Sequence, residues 1–222
     1  GEIVVLDTAG YGPVTITKSV SVVVPPGVNG FVTGTGGIGI AVTAGVNDIV
    51  TLRGLIVEGT GTNYGIQSST VGTLVVEDTT VRNFSHGISI LATTPSRLIV
   101  RRGAIRDTAT GIQVGTFPYS GGNAVAHVTD TELTSNGTAI SSIGNNSSYA
   151  AYVFAGRIAV SGTTGSVFRA DGKATIIADS STVVDSATVF ESSGGATTFA
   201  RNNSVVRYTS YGSPGTFAGT VQ

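Results

Sequence analysis

The feature that most limits how this chain can fold is an internal repeat. Four segments align with one another without internal gaps: DIVTLRGLIVEG (48–59), TLVVEDTTVRN (73–83), RLIVRRGAIRD (97–107) and VAHVTDTELTS (125–135). The alignment places apolar residues in shared columns. One column, with successive spacings of 24, 24 and 28 residues, contains Val57, Val81, Ile105 and Leu133. A period of this length is typical of architectures in which one small structural unit stacks on the next.

Two further columns run through the same repeats. They contain Leu52, Val76, Val100 and Val128, and Ile66, Ile88, Ile112 and Ile140. The segments 152–162, 175–190 and 198–210 follow the pattern more loosely, and 13–24 precedes it as an earlier repeat. Within each repeat, apolar residues alternate over three short stretches, which indicates β-strands, and no window has the periodicity of a helix.

We therefore predict an all-β chain that forms one domain over residues 1–222, a right-handed parallel β-helix. Each coil of about 22–28 residues contributes three strands, and the chain makes roughly eight coils. Consecutive coils stack at about 4.8 Å and pair each strand in parallel with its counterpart. Chain chirality favours the right-handed crossover. A β-sandwich also has many short strands, but it does not require residues to keep one column at constant phase.

Two phrases carry a resemblance to a known family: GEIVVLDTAGYGPVTITKSVSVVVPPG (1–27) and VTLRGLIVEG (50–59). They resemble the pectin-lyase-like superfamily, in particular its bacterial right-handed β-helix repeat proteins of undefined activity. The likeness covers nearly the whole chain. It implies the fold more than the function, because that superfamily includes lyases, hydrolases, tailspikes and adhesins.

The composition narrows the choice of partners. Only 11% of the residues are charged and the net charge is −1, so the chain lacks the basic surface that nucleic acid requires. No apolar run approaches the roughly 18 residues of a membrane span. The absence of cysteine excludes disulfides, thiol catalysis and cysteine-ligated metal.

The chain opens without a signal peptide, so Gly1 is read as a mature or trimmed start of a secreted or cell-surface protein of bacterial style.

His86 is the first candidate for catalysis. It lies in SHGISI (85–90), which resembles the Gly-His-Gly segment of polygalacturonases. Those enzymes also need clustered aspartates, one acting as acid and one as base, and this sequence has no Asp-Asp pair. The repeat places His86 in one column with Tyr64, Thr110 and Thr138, where stacking between adjacent turns explains it. The other histidine, His127, falls in a column that should face outward, where we expect a lone exposed side chain.

Glu77, Asp78 and Arg101 are the remaining catalytic candidates. Pectate lyases bind calcium with carboxylates beside an arginine base, and calcium takes about six to eight oxygen ligands. The columns instead place Arg53 and Arg101 on either side of Glu77, and Arg102 above Asp78. We therefore expect ladders of alternating charge and no cofactor or metal, with calcium as the one alternative.

Ligand binding has two sets of candidates. Arg82, Arg101, Arg102 and Arg106 could hold a sugar carboxylate through bidentate hydrogen bonds. The alternative is a solvated face, balanced by Glu58, Glu77, Asp78 and Asp107. The second set, from longer insertions whose side chains could stack on sugar rings, is Tyr119, Tyr149 and Tyr152.

The expected function is that of a non-catalytic extracellular scaffold, presenting a polar face for carbohydrate binding or surface attachment. Two alternatives stay open: a polysaccharide lyase or glycoside hydrolase acting on acidic polysaccharide, and an engineered or trimmed fold specimen without its own activity. An enzyme should gather several acidic or basic groups in one groove, at least one with a strongly perturbed pKa.

Because no amphipathic helix precedes Ile3 to cap the coils, we also expect a homo-oligomer through a terminal coil.

Overall fold

The computed structural model describes residues 1–116, 121–145, 148–212 and 216–218, the last three and 211–212 by their backbone alone. All regular secondary structure in these residues is β-strand, which confirms the predicted all-β class. No helix in this part of the chain has the length and apolar character needed to cross a membrane.

Twenty-six strands lie in the described residues. Those of the first four coils are β1 (Glu2–Val4), β2 (Ala9–Tyr11), β3 (Val14–Ile16), β4 (Val20–Val23), β5 (Gly30–Gly34), β6 (Ile40–Val42), β7 (Ile49–Arg53), β8 (Leu55–Gly59), β9 (Tyr64–Ser68), β10 (Thr73–Glu77), β11 (Thr80–Arg82) and β12 (His86–Ala92). Those that follow are β13 (Ser96–Arg101), β14 (Ala104–Arg106), β15 (Thr110–Thr116), β16 (Ala124–Thr129), β17 (Glu132–Thr134), β18 (Thr138–Ile143), β19 (Ala151–Gly156), β20 (Ala159–Ser161), β21 (Ser166–Asp171), β22 (Ala174–Asp179), β23 (Thr182–Ser193), β24 (Thr197–Arg201), β25 (Ser204–Gly212) and β26 (Thr216–Ala218).

Each strand pairs in parallel with its counterpart one coil away, so the chain is a β-solenoid of about eight turns, as predicted. Face 1 is the ten-stranded sheet β1-β4-β7-β10-β13-β16-β19-β22-β24-β26. The second sheet contains the other two faces, because β23 continues round a bend and pairs with both β20 and β21. Face 2 runs from β2 through β5, β8, β11, β14 and β17 to β20, and face 3 runs from β3 through β6, β9, β12, β15 and β18 to β21.

The strand register confirms the apolar columns. Val81 pairs with Val57 below and Ile105 above, and Ile88 pairs with Ile66 and Ile112 in the same way. All of these side chains are buried. Because residues alternate sides along a strand, the aliphatic columns fill the interior of the solenoid. Further along, Phe168 and Phe190 continue the isoleucine column with stacked rings whose centroids are 5.1 Å apart.

Tight bends join the faces, and residues with left-handed backbone recur there. The first bend, between faces 1 and 2, has positive φ at Gly54, Asp78, Arg102, Asp130, Arg157, Ser180 and Asn202. The second bend, between faces 2 and 3, has it at Asn83, Asp107, Ser135, Gly162, Asp185 and Arg207. The repeat alignment predicts equivalent bends for Asn83, Asp107 and Asp185, and this is confirmed. Asparagine and aspartate tolerate this conformation better than other residues with a side chain.

The first coil leaves the interior open. Segment 13–24 is not one repeat, because β3 ends the first coil and β4 begins the second. Ile3 and Leu6 are exposed, Leu6 by 85%. They border an apolar hollow of about 410 Å³ whose lining includes Val22 and Leu55. The first coil therefore presents apolar side chains at this end.

Candidate functional site

The first bend carries a ladder of charges centred on Glu77. The carboxylate is buried, with 6% of the residue exposed. Arg53 of the preceding coil places Nη2 2.5 Å from Oε2, and Arg101 of the next coil places Nη1 3.6 Å from Oε1. Arg102 Nη2 lies 4.0 Å from Oε2. One carboxylate is thus shared among three guanidinium groups, as the alternating columns predicted.

A parallel ladder runs through the left-handed positions of the same bend. Arg102 donates to both carboxylate oxygens of Asp78, at 2.7 and 3.0 Å. On the following coils, Arg157 donates to both oxygens of Asp130, at 2.8 and 2.7 Å. In each case the hydrogen bond from the arginine lowers the pKa of the aspartate. These acids are ionised and paired near neutral pH.

The four arginines proposed to hold a sugar carboxylate are divided between the two bends. Arg101 and Arg102 lie at the first bend, beside Glu77 and Asp78. Arg82 and Arg106 lie at the other end of face 2, where Arg82 donates to Glu58 at 2.9 Å. Arg106 forms no ion pair within the described residues, and it borders a shallow hollow of about 290 Å³ with Glu132 and Thr134. Sugar carboxylate binding by this set stays a prediction.

His86 is half-buried in the column that the repeat predicted. Its ring stacks on Tyr64 of the preceding coil, with centroids 4.8 Å apart and an angle of 26° between the planes. Burial lowers the pKa of the imidazole, so the neutral form predominates at pH 7. Within the described residues no acidic side chain hydrogen-bonds to it. The stacking interpretation accounts for its position.

Metal donors do not converge in the part of the chain that the structure covers. No three His, Asp or Glu side chains there are close enough together to hold one ion. Calcium binding by Glu77 and Asp78 therefore stays a hypothesis without a recognisable donor set.

The three tyrosine candidates differ in position. Tyr119 lies outside the described residues. Tyr149 is half-buried in the segment just before β19. Tyr152 is on the outer surface of face 1 with 46% of the residue exposed, and it pairs with Val125 on one side and Thr175 on the other.

Tyr152 belongs to an exposed apolar surface that we call the aromatic strip, formed by Tyr152, Phe154, Ile177 and Phe199. Phe154 lies two residues along the same strand, on the same side of the sheet. It pairs with Ile177, which pairs with Phe199. Ile177 is 41% exposed and Phe199 is 37% exposed. The strip thus extends over three consecutive coils.

Phe154 lies low against the sheet because Gly156 leaves room for it. A Cβ atom at Gly156 would be only 2.8 Å from Cε1 of Phe154, which is closer than side chains tolerate. The His127 ring lies 6.1 Å from the phenyl ring, centroid to centroid, tilted by 47°. The glycine thereby flattens this part of the outer surface.

Sequence reasoning found Tyr152 but missed Phe154, Ile177 and Phe199. The signal was present: the outward column of Thr51, Val75, Ile99 and His127 continues through these three residues, at the same one-per-coil spacing. They lie beyond the four segments that align without gaps. His127 does face outward, as predicted, but it is half-buried and has neighbours rather than standing alone.

Comparison with protein-family models, curated proteins and solved structures found no match to this chain. The resemblance to the pectin-lyase-like superfamily is therefore supported only at the level of a parallel β-solenoid.

Proposed function

We propose that this chain is a non-catalytic β-solenoid scaffold that works outside the cell and binds carbohydrate through the aromatic strip. The observation that carries the proposal is the exposure of Tyr152, Ile177 and Phe199 on one side of a parallel sheet. Parallel sheets are normally covered on both faces. A contiguous apolar surface left open to solvent is typical of an interaction site.

The chemistry of the strip suits a sugar. One side of a sugar ring presents C–H groups, which stack on flat aromatic rings, while the rim presents hydroxyl groups. Hydroxyl partners lie in the column beside the strip, where Tyr152 pairs with Thr175 and Thr175 with Thr197. The surface repeats once per coil, about every 4.8 Å, so a polysaccharide running along the solenoid axis meets similar groups at each step.

The charged ladders support a scaffold over an enzyme. Six of the acids at the two bends that a lyase or hydrolase could use are held by arginines: Glu58, Glu77, Asp78, Asp130, Asp179 and Asp185. A carboxylate engaged in this way is a poor proton acceptor, because its lone pairs are occupied by the guanidinium N–H groups. The alternative of a fold specimen without activity predicts no ligand at all.

The binding test uses neutral polysaccharides, first on a glycan array and then by affinity electrophoresis or calorimetry. Tyr152→Ala and Phe199→Ala should each weaken binding about three- to tenfold, since an aromatic contact contributes about 0.5–1.5 kcal/mol beyond its buried area. Tyr11→Ala is the matched control, because Tyr11 is exposed on β2 of face 2, away from the strip. Binding that is equally weak in all three variants, or absent from the parent chain, would contradict the proposal.

A separate assay tests the enzyme alternative. The protein is incubated with polygalacturonate, with and without calcium, while unsaturated products and reducing ends are followed. We expect no turnover above the buffer control. Turnover that disappears in Glu77→Ala and Asp78→Ala would establish a lyase or hydrolase instead.

A further inference from the structure

Three nitrogen-bearing side chains lie together on the outer surface of face 1, next to the aromatic strip. Arg97 and Arg101 are on β13, and His127 is on the next strand of the face, β16. Nη2 of Arg97 lies 3.5 Å from Nε2 of His127. Ile99, which stands between the two arginines, pairs with His127. The imidazole is therefore flanked by guanidinium groups from both ends of β13.

These groups have little compensating negative charge. Arg97 forms no ion pair in the part of the chain that the structure describes. Among the described residues, Arg101 reaches one carboxylate, that of Glu77 at 3.6 Å. Glu77 is already engaged with Arg53 at 2.5 Å and lies 4.0 Å from Arg102. Around this carboxylate and its neighbour Asp78, guanidinium groups outnumber carboxylates.

The surroundings of His127 reinforce the excess of positive charge. On the strands that flank β16, the charged or titratable groups facing His127 are Arg97 and Arg101 of β13 and the phenol of Tyr152 on β19. Burial, and then the charges of Arg97 and Arg101, lower the pKa of the His127 imidazole below its ordinary value of 6.5. No acidic group in the described residues acts on it.

We propose that Arg97, Arg101 and His127 form a binding site for a tetrahedral oxyanion, of the kind carried by sulfate and phosphate esters. Guanidinium groups donate in a planar fork that matches such oxygens. A tetrahedral ester group presents three outward oxygens, enough to accept from all three side chains, whereas a carboxylate presents two. This site does not depend on sugar binding by the aromatic strip, although an ester attached to a molecule on the strip would reach it beside Phe154.

Anion binding at this site is linked to protonation of His127. A bound oxyanion favours the imidazolium form, so it raises the pKa of His127. By the same linkage, anion affinity increases as pH falls below neutrality, and the increase extends below the range of an ordinary histidine because the pKa of the free His127 imidazole is lowered. Sulfate is the better probe for the titration because its own charge is constant over this range.

The experiment follows the ring signals of the two histidines by NMR. The protein is titrated with sodium sulfate and sodium phosphate, against sodium chloride at matched ionic strength. Sulfate and phosphate should shift the His127 signals saturably and raise its pKa. His86 lies at the start of β12 on face 3, stacked on Tyr64, and serves as the internal control whose signals stay unchanged.

Variants locate the site. Arg97→Gln should lower sulfate affinity at least about fivefold, in line with the loss of one charge-assisted hydrogen bond. Arg169→Gln, which removes the same charge from an exposed position on β21 of face 3, should leave it unchanged. Arg101→Gln provides a second removal within the site, so the conclusion does not depend on the folding of a single variant.

Titrations with different ligands distinguish binding of a free ion from binding of an ester. A sugar sulfate and a sugar phosphate should act on His127 as the free ions do, while the unmodified sugar should not. Equal, unsaturated shifts of both histidines in sulfate and chloride would overturn the site, as would unchanged sulfate affinity in both arginine variants. Since neutral polysaccharide binding is measured without sulfate or phosphate, failure of this site is distinguishable from failure of the proposed function.

Discussion

Ser135 and Gly162 occupy the same bend on consecutive coils with nearly the same left-handed backbone, φ being 54° and 63°. The residues before them, Thr134 and Ser161, are paired across the sheet, and Ser135 N–H donates to the carbonyl of Ser161. The solenoid thus imposes this conformation whatever the side chain. Glycine adopts it without steric cost, whereas serine has a Cβ that opposes it.

Ser135→Gly should therefore stabilise the protein. Relief of the left-handed strain contributes about 1–2 kcal/mol, partly offset by about 0.5–1 kcal/mol for the greater flexibility of glycine in the unfolded chain. We expect a net gain of about 0.5–1 kcal/mol in the free energy of unfolding, measured by urea denaturation. Ser161→Gly, one position before the bend on β20, is the matched control and should destabilise. Loss of stability in both variants would show that the bend does not strain Ser135.

The interior columns should matter more for stability than the histidine beside them. Ile88→Ala removes a fully buried side chain and should cost about 2–5 kcal/mol. His86→Ala removes the stack on Tyr64 from a half-buried site and should cost about 0.5–1.5 kcal/mol. Denaturant midpoints of the two variants, compared with the parent, decide this. Equal or reversed costs would mean that the strand register is wrong.

Acid should weaken the fold through the ladder aspartates. Arginine hydrogen bonds lower the pKa of Asp78, Asp130 and Asp179 in the folded protein. A carboxyl whose folded pKa is depressed adds stability above its unfolded pKa of about 3.9, and this contribution is lost as pH falls through the folded value. Stability should hold at mildly acidic pH and fall below about pH 4.

The triple substitution of Asp78, Asp130 and Asp179 by Asn tests the assignment. Asparagine cannot titrate, so the loss of stability on acidification should become shallower, at the cost of lower stability at neutral pH. Thermal melts at a series of pH values provide the measurement. A triple variant whose pH profile runs parallel to that of the parent would mean that other groups govern the acid response.

Self-association of this chain should occur through the first coil. Ile3 and Leu6 are exposed beside the apolar hollow at that end, and β1 has a strand partner on one side alone among the described residues. Light scattering coupled to size exclusion should detect dimers or small oligomers, and Leu6→Asp should shift the population towards monomer. A parent chain that is monomeric at every concentration tested would count against association through this end.

The interior of the solenoid follows closely from the amino-acid sequence. Parallel stacking requires one residue per coil in each column, and burial requires that residue to be apolar. A column such as Ile66, Ile88 and Ile112 is therefore visible as a period in the sequence alone. The same period predicted that arginines lie on both sides of Glu77, because the outer surface repeats with the interior.

Other features depend on three-dimensional packing. Phe84 lies in the interior at the second bend, where most coils have a small or polar residue. It fits because the earlier coils supply Gly34, Gly59 and Gly65, at which added Cβ atoms would lie within 3.0 Å of its ring. No local pattern in the sequence links these glycines to that phenylalanine.

The left-handed backbone conformation at Arg102 and Arg157 also could not be predicted from the sequence. Arginine has no preference for left-handed φ, and only the bends set by the neighbouring coils impose it. The surfaces proposed to bind ligands also depend on three-dimensional packing. Side-chain distances across coils decide which carboxylates each arginine reaches. For this reason the charge of Arg97 is uncompensated within the described residues. A repeat period specifies which residues are neighbours, but the lengths and directions of their side chains decide which of them bind one another and which are left for a ligand.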